Sequence, residues 1–213
     1  MKNKNVLLKS YIPIAIFVLL CLTSIFSTNV AGLTILFSIL YLFIENKRSK
    51  GKMEDIGFIQ KNILSDIKKY WWLILIPIIS GIVAIILSKY ILPEFYLHVL
   101  ERIKPMLSLD KMLLLIPQLL ILALGEEIAF RAFFQTKLCN ITNPIWAIIL
   151  TSLFFAIGHF SDGSMSVIIY DLIFIFIDSI VYGIIYQKTK NVYTCTISHF
   201  LANLVGISIL LLL

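Results

Sequence analysis

The chain has 213 residues, of which 60% are hydrophobic and only 14% are charged, with a formal net charge of +6. Soluble domains carry about 25% charged residues, so this composition excludes an ordinary soluble protein and predicts one compact helical bundle in a membrane. The basic residues lie between apolar segments, a placement that fits the orientation of a membrane protein and argues against a nucleic-acid partner.

The amino-terminal segment, MKNKNVLLKSYIPIAIFVLLCLTSIFS, superficially resembles a secretory signal. Its apolar run is long for such a signal, no small-residue cleavage site follows, and a second apolar run begins at once. We therefore interpret it as a retained first span.

Apolar runs suited to membrane-spanning helices continue to the end of the chain. They predict an all-α, polytopic transmembrane bundle of about seven spans, with an eighth if Pro93–Lys111 is more than interfacial. The predicted spans are Tyr11–Ser27, Val30–Ile44, Trp71–Leu92, Met112–Phe134, Ile145–Phe160, Ser166–Tyr186 and Val192–Leu213. His98 lies outside them, in an amphipathic connection, and is expected at the surface.

Lysine and arginine are concentrated in alternate connections, which sets the expected orientation. The basic connections are the amino terminus, the polar segment Glu45–Lys69 and the turns at Lys137 and Lys188, whereas Ser161–Ser164 carries no basic residue. We expect the amino terminus to be cytoplasmic and the carboxyl terminus external.

The most unusual feature is a charged cluster inside the apolar run Met112–Leu138. Glu126 and Glu127 are followed by Arg131, and charge at bilayer depth costs on the order of 2.5–3.5 kcal/mol per side chain. Glu127 and Arg131 are four residues apart and can pair on a helix, whereas Glu126 points about 100° away. Gly125 allows another backbone or a substrate to approach closely. A buried ion pair that fixes helix register is the structural alternative.

Further polar residues lie within later spans. His159 ends the next apolar segment, in the stretch Phe155–His159. His199 and Asn203 are four residues apart, hence on one helix face. Asp171 and Asp178 also share a helix face, with Tyr182 one turn further, and Asp178 is the better candidate for a cavity wall because it lies deeper in its span.

These residue types restrict the chemistry. A carboxylate in an apolar cavity can act as a general base, and histidine and asparagine can donate to a tetrahedral oxyanion. Glu126, His159 and His199 are instead a ligand set for catalytic zinc. No HExxH motif is present and asparagine is a poor zinc ligand, so peptide hydrolysis without a cofactor is favoured, with zinc as the alternative.

The motifs EExxxR (Glu126–Arg131), FxxxH (Phe155–His159) and HxxxN (His199–Asn203) together resemble the CPBP family, the type II CAAX prenyl endopeptidases and their bacterial Abi relatives. The resemblance covers roughly Met112 to Asn203. It divides the chain into amino-terminal spans with a basic loop, residues 1–111, and a catalytic core, residues 112–213.

The resemblance implies intramembrane proteolysis of a membrane-associated peptide or protein in a bacterial cytoplasmic membrane. It implies that Glu126 activates water with His159, that His199 and Asn203 form an oxyanion hole, and that Glu127 and Arg131 support Glu126. Bacterial relatives are linked to bacteriocin self-immunity and peptide processing. The rival hypotheses are a non-catalytic membrane scaffold or immunity protein and a proton-coupled transporter, which would predict an internal repeat that is not apparent.

Straight spans present one difficulty for this hypothesis. They place His159 nearer the external face, His199 nearer the cytoplasmic face and Glu126 at mid-depth. Simple topology therefore does not predict a converged site.

Overall fold

A computed structural model describes residues 4–24, 28–104 and 112–212, and the regular structure in these ranges is entirely helical, which confirms the all-α prediction. The predicted span ends at Ser27 and Leu213, and the end of the connection before Met112, lie outside the described residues. The α-helices are α1 (Lys4–Ser24), α2 (Thr28–Arg48), α3 (Ile63–Ile91), α4 (Pro93–Ile103), α5 (Met112–Glu127), α6 (Thr136–Ile141), α7 (Pro144–Gly158), α8 (Met165–Thr189) and α9 (Val192–Leu212). A π-helical segment, Ile128–Gln135, joins α5 to α6, and short 3-10 turns occupy Met53–Ile56 and Gln60–Asn62.

Several helices have the length and apolar character of membrane spans. Within the described ranges, three helical stretches meet both criteria, namely Gln60–Ile91, Met165–Thr189 and Val192–Leu212, and Ser10–Thr23 and Pro144–Gly158 are shorter apolar helices. Their outer faces carry exposed large apolar side chains such as Ile79, Leu153 and Ile173. An apolar outer surface of this kind requires lipid rather than water around it. The chain is an integral membrane protein.

The carboxyl-terminal helices form the centre of the bundle. α9 packs against α3, α5 and α8, and α8 also packs against α3 and α7. α1 and α2 close the other side, where Phe17 stacks on Phe134 of the π-helical segment at 4.1 Å between ring centroids. Every residue of the π-helical segment is buried, so the helix that carries the acidic cluster is enclosed on several sides.

The polar connection between α2 and α3 is folded against the carboxyl-terminal helices. The backbone N–H of Val192 donates to the Gly57 carbonyl oxygen at 2.8 Å, and Asn191 Nδ2 donates to the Ile59 carbonyl oxygen at 3.0 Å and to Asp66 Oδ2 at 2.9 Å. Gly57 has φ +94°, and a Cβ there would lie 3.0 Å from Val192. This connection therefore anchors the start of α9, seven residues before His199.

α4 lies across one end of the bundle. It begins at Pro93, after the non-helical Leu92 (φ −153°, ψ 69°), and it contacts α3, α8 and α9. His98 is half-buried and bonds to Ser161 in the turn between α7 and α8, so the expectation that it lies at the surface is wrong.

Candidate active site

Three of the polar residues singled out in the sequence meet at one point. Glu126 Oε2 lies 3.6 Å from His199 Nε2 and 3.8 Å from His159 Nε2. The Glu126 and His159 side chains are 19% and 30% exposed, so water can reach this point although it lies within the bundle. α5, α9 and the end of α7 each supply one of the three groups.

The short length of α7 removes the expected separation in depth. α7 has 15 residues, or ~22 Å at 1.5 Å per residue, whereas a hydrocarbon core is ~30 Å thick. His159 follows the last residue of α7 and therefore lies inside the bundle rather than at its far face. The expectation from straight spans fails because it assumes that the fifth apolar run crosses the bilayer completely.

A second carboxylate lies in a fully buried polar network. Glu127 and Arg131 are 0% exposed, and Arg131 Nε donates to Glu127 Oε2 at 3.1 Å. Arg131 also donates from Nη2 to Ser179 Oγ at 2.9 Å, and His199 Nδ1 lies 2.9 Å from Glu127 Oε1. The network thus joins α5, the π-helical segment, α8 and α9. The sequence predicted the Glu127–Arg131 pair, but no spacing pointed to Ser179 or to the bond from His199.

The hydrogen bonds restrict the tautomers of both histidines. His159 Nδ1 is 2.8 Å from the Phe155 carbonyl oxygen, which can only accept, so this nitrogen carries the proton. His199 Nδ1 faces the Glu127 carboxylate, which accepts in the same way when it is ionised. In the neutral form of each ring, Nε2 is therefore an acceptor that faces Glu126. His199 can donate from Nε2 only as the doubly protonated imidazolium.

Aromatic rings fix the remaining freedom of these side chains. Tyr182 stacks on the His199 ring at 4.8 Å between centroids, with an angle of 19° between the ring planes. Phe155 contacts His159 at 4.5 Å, and the Arg131 guanidinium carbon lies 5.2 Å from the centre of the Phe155 ring. Arg131 Nη1 has no hydrogen-bond partner among the described groups, and the π face of Phe155 supplies a weaker electrostatic contact.

A cavity of about 320 Å³ opens beside Glu126. Glu126 on α5 and five further predicted residues line its wall, namely Phe155, His159, Asp178, His199 and Asn203, whereas the predicted Glu127 and Arg131 do not. Most of the remaining wall is apolar, as expected for a site that receives apolar peptide segments.

Gly125 lies apart from this cavity. It is not among the lining residues, and a Cβ added to it would lie 3.3 Å from Ile35 Cγ2 on α2. Gly125 therefore allows close approach of a neighbouring helix rather than of a substrate.

The cavity wall also contains an ion pair that the sequence did not predict. Arg102 of α4 forms an ion pair with Asp171 of α8, and both line the cavity together with Phe95 and Val99 of α4. Their separation of 69 residues left no periodic signal.

Glu126, His159 and His199 are the groups that would bind a catalytic zinc ion, so their spacing can be compared with that of zinc ligands. Ligand atoms around tetrahedral zinc lie about 3.4 Å apart, given bond lengths of 2.0–2.2 Å. The distances from Glu126 to the two Nε2 atoms are longer, and within the described part of the chain no three His, Cys, Asp or Glu side chains have a metal-holding arrangement. Glu126 and the two Nε2 atoms are thus spaced a few tenths of an ångström more widely than zinc ligands, and we derive no step through a metal.

Comparison with protein families places the site in a wider context. Residues 108–205 match the family described as Type II CAAX prenyl endopeptidase Rce1-like. The match contains the acidic cluster, both site histidines and Asn203, and it excludes α1 to α4. The comparisons with curated proteins and with solved structures gave no match.

Proposed function

The carboxyl-terminal region of this chain, residues 108–205, belongs to the type II CAAX prenyl endopeptidase family, and from this premise we propose that the protein hydrolyses peptide bonds within the membrane by a glutamate-activated water. The substrate is a membrane-associated peptide or protein that enters the cavity between α4, α5, α8 and α9. The observation that carries the proposal is the convergence of Glu126, His159 and His199 on one partly exposed point of a mostly apolar cavity.

In the first step, Glu126 and His159 hold the attacking water. The water donates one hydrogen bond to the Glu126 carboxylate and the other to His159 Nε2, which is an acceptor because Nδ1 is bound to the Phe155 carbonyl oxygen. Glu126 takes a proton as the water oxygen bonds to the scissile carbonyl carbon. When the C–N bond breaks, Glu126 returns this proton to the leaving amine.

The tetrahedral oxyanion is stabilised by donors on α9. Asn203 lies one turn after His199, and both line the cavity. Asn203 donates from its amide, and His199 donates from Nε2 as an imidazolium, whose other N–H is held by Glu127. Donors placed in advance at the point of developing charge lower the barrier without reorganisation.

Glu127 and Arg131 act as a brace for these groups. Glu127 accepts from Arg131 with one oxygen and faces His199 Nδ1 with the other. Because Arg131 also binds Ser179, the orientation of the His199 ring is tied to α5 and α8. Neither Glu127 nor Arg131 is accessible to a substrate, so their contribution is to positioning.

The orientation of the chain completes the proposal. The concentration of lysine and arginine in alternate connections supports a cytoplasmic amino terminus and an external carboxyl terminus in a bacterial cytoplasmic membrane. The motifs resemble those of bacterial relatives that serve bacteriocin self-immunity. We propose self-immunity as the cellular role of the peptidase activity.

Cleavage of a defined peptide library tests the proposal. Purified protein in liposomes is incubated with synthetic lipid-anchored peptides of varied sequence, and products are identified by mass spectrometry. We expect new termini with the wild type and with Asp162→Asn, an exposed carboxylate outside the cavity lining, and none with Glu126→Gln or His199→Ala. Equal products from all variants would assign the cleavage to a contaminant. Full biological activity of both site variants would favour the non-catalytic scaffold.

A further inference from the structure

α4 carries a row of polar side chains that meet the turn after His159. Glu94, His98 and Arg102 are spaced by four residues and lie on one side of the helix. Their partners are Ser164 and Ser161 in the α7–α8 turn and Asp171 on α8. We call these three contacts the α4 seam.

The middle contact of the seam is the one nearest to His159 along the chain. Ser161 Oγ is 3.1 Å from His98 Nε2, and only Phe160 separates Ser161 from His159. The His98 ring also packs against Gly163, where a Cβ would lie 3.2 Å from His98 Nδ1. The turn that follows His159 is therefore held by the His98 ring at two points.

The backbone leaves the helical conformation at His159. His159 ends α7 with φ −100° and ψ 7°, outside the helical range, and its N–H donates to the Ala156 carbonyl oxygen at 2.9 Å. Its side chain is anchored through Nδ1 to the residue one turn earlier. A shift of the turn would move the ring, because the ring position depends on this terminal backbone conformation.

We propose that the α4 seam positions His159 opposite Glu126, with His98 as the principal positioning residue acting through Ser161. This inference rests on the proposed function. It assigns to α4, which lies outside the family-matched region, a part in the reaction beyond its contribution to the cavity wall. Loss of the contact lets the turn move and lengthens the distance between His159 Nε2 and the attacking water.

Kinetics on a peptide that the wild type cleaves give the first test. His98→Ala and Ser161→Ala lower kcat on the order of 10-fold to 100-fold, since misplacement by about 1 Å costs up to 10²-fold, and KM changes less than about 2-fold because the cavity wall is unchanged. The double variant is no slower than either single variant, since both remove one contact. His98→Gln restores most of kcat, because its amide nitrogen can reach Ser161.

The matched control lies on the same helix. Tyr96 of α4 donates its hydroxyl to the Leu210 carbonyl oxygen at 3.2 Å, away from the seam. Tyr96→Phe therefore removes a hydrogen bond of α4 while leaving the α7–α8 turn in place, and we expect wild-type kcat and KM. Increased KM with unchanged kcat in His98→Ala and Ser161→Ala would assign the seam to the cavity wall alone and overturn the proposal.

A spectroscopic measurement tests the positioning without hydrolysis. The chain has three histidines, so in ¹³Cε1-histidine spectra of the wild type, His98→Ala, His98→Gln, Ser161→Ala and Tyr96→Phe the His159 signal is assigned as the one that is lost in His159→Gln. We expect the His159 signal to shift in His98→Ala and Ser161→Ala, to return in His98→Gln, and to stay in place in Tyr96→Phe. An unchanged His159 signal in both His98→Ala and Ser161→Ala would overturn the inference.

The two measurements also separate this inference from the proposed function. If the His159 signal shifts as expected but no peptide is cleaved in a Glu126-dependent manner, the positioning contact stands and the proposed function fails. If cleavage depends on Glu126 while kcat and the His159 signal are the same in His98→Ala and Ser161→Ala as in the wild type, the proposed function stands and the inference fails.

Discussion

His199 Nδ1 lies 2.9 Å from Glu127 Oε1, while its other ring nitrogen lies 3.6 Å from Glu126 Oε2. One imidazole thus bridges two adjacent carboxylates that differ in surroundings: Glu127 is fully buried and paired with Arg131, and Glu126 is partly exposed in the cavity. The two carboxylates of the acidic cluster can therefore have different roles. It allows Glu126 to exchange a proton with water while Glu127 remains a fixed acceptor for His199.

The buried pair predicts a strong asymmetry in stability. Glu127→Gln leaves the Arg131 charge without its carboxylate, and breaking a buried pair from one side costs about 3–5 kcal/mol. The double variant Glu127→Gln/Arg131→Met removes both charges and should recover part of this loss. Thermal unfolding of the purified variants in detergent checks the order. A single variant as stable as the wild type would show that the pair is not buried in the membrane-embedded protein.

The proposed oxyanion donors predict a loss of kcat rather than of binding. Asn203→Ala should lower kcat by about 10²–10³-fold with little change in KM, because the amide acts on charge that develops in the transition state. Ser208→Ala is the matched control, since Ser208 is an exposed residue of the same helix whose hydroxyl bonds only to the Leu204 carbonyl oxygen among the described groups. Peptide cleavage rates measured over a range of substrate concentrations give kcat and KM separately for each variant. Equal kcat values for Asn203→Ala and Ser208→Ala would remove Asn203 from the mechanism.

The ion pair between α4 and α8 predicts unequal effects of its two halves. Asp171 has a side-chain exposure of 7%, whereas Arg102 is 39% exposed and can turn toward water. Arg102→Gln should therefore destabilise the protein more than Asp171→Asn, since only the former leaves a buried charge unpaired. Melting temperatures of the two variants test this order. Lys61→Gln, which removes the exposed Lys61–Glu54 ion pair, is the control. The reverse order would mean that Arg102, and not Asp171, is the buried half of the pair.

Removal of metal should leave the activity unchanged. The proposed water activation uses the Glu126 carboxylate and the His159 imidazole alone, and therefore requires no metal. We expect full cleavage after treatment with a strong chelator, and no stoichiometric zinc in active protein by elemental analysis. Loss of cleavage on chelation that zinc restores would replace the glutamate mechanism.

The elements and the buried ion pair could be predicted from local patterns. The apolar runs predicted the helices because their length and composition suit the bilayer. The spacing of Glu127 and Arg131 predicted their contact because residues four apart meet on one helix face. The π-helical segment that holds Arg131 was not predicted, since nothing in the apolar sequence distinguishes it from an α-helix.

The assembly of the site depended on tertiary features that periodicity does not encode. Convergence of His159 on Glu126 follows from the short length of α7, which has 15 residues. The apolar run Ile145–Phe160 is equally short in the sequence, but its length alone does not give the depth at which His159 lies. The contacts of His98 with Ser161 and of Arg102 with Asp171 join residues 63 and 69 positions apart. Such distant pairs leave no signal in a single sequence.

The rate at which Glu126→Gln cleaves a peptide that the wild type cleaves tests the glutamate mechanism most directly. Glutamine preserves the size of the side chain but cannot accept the proton of the attacking water, and loss of a general base costs about 10²–10⁴-fold. We predict a fall in kcat of this order, in protein that is inserted and melts at or near the wild-type temperature. A kcat within a factor of about three of the wild type would contradict the assignment of Glu126 as the base.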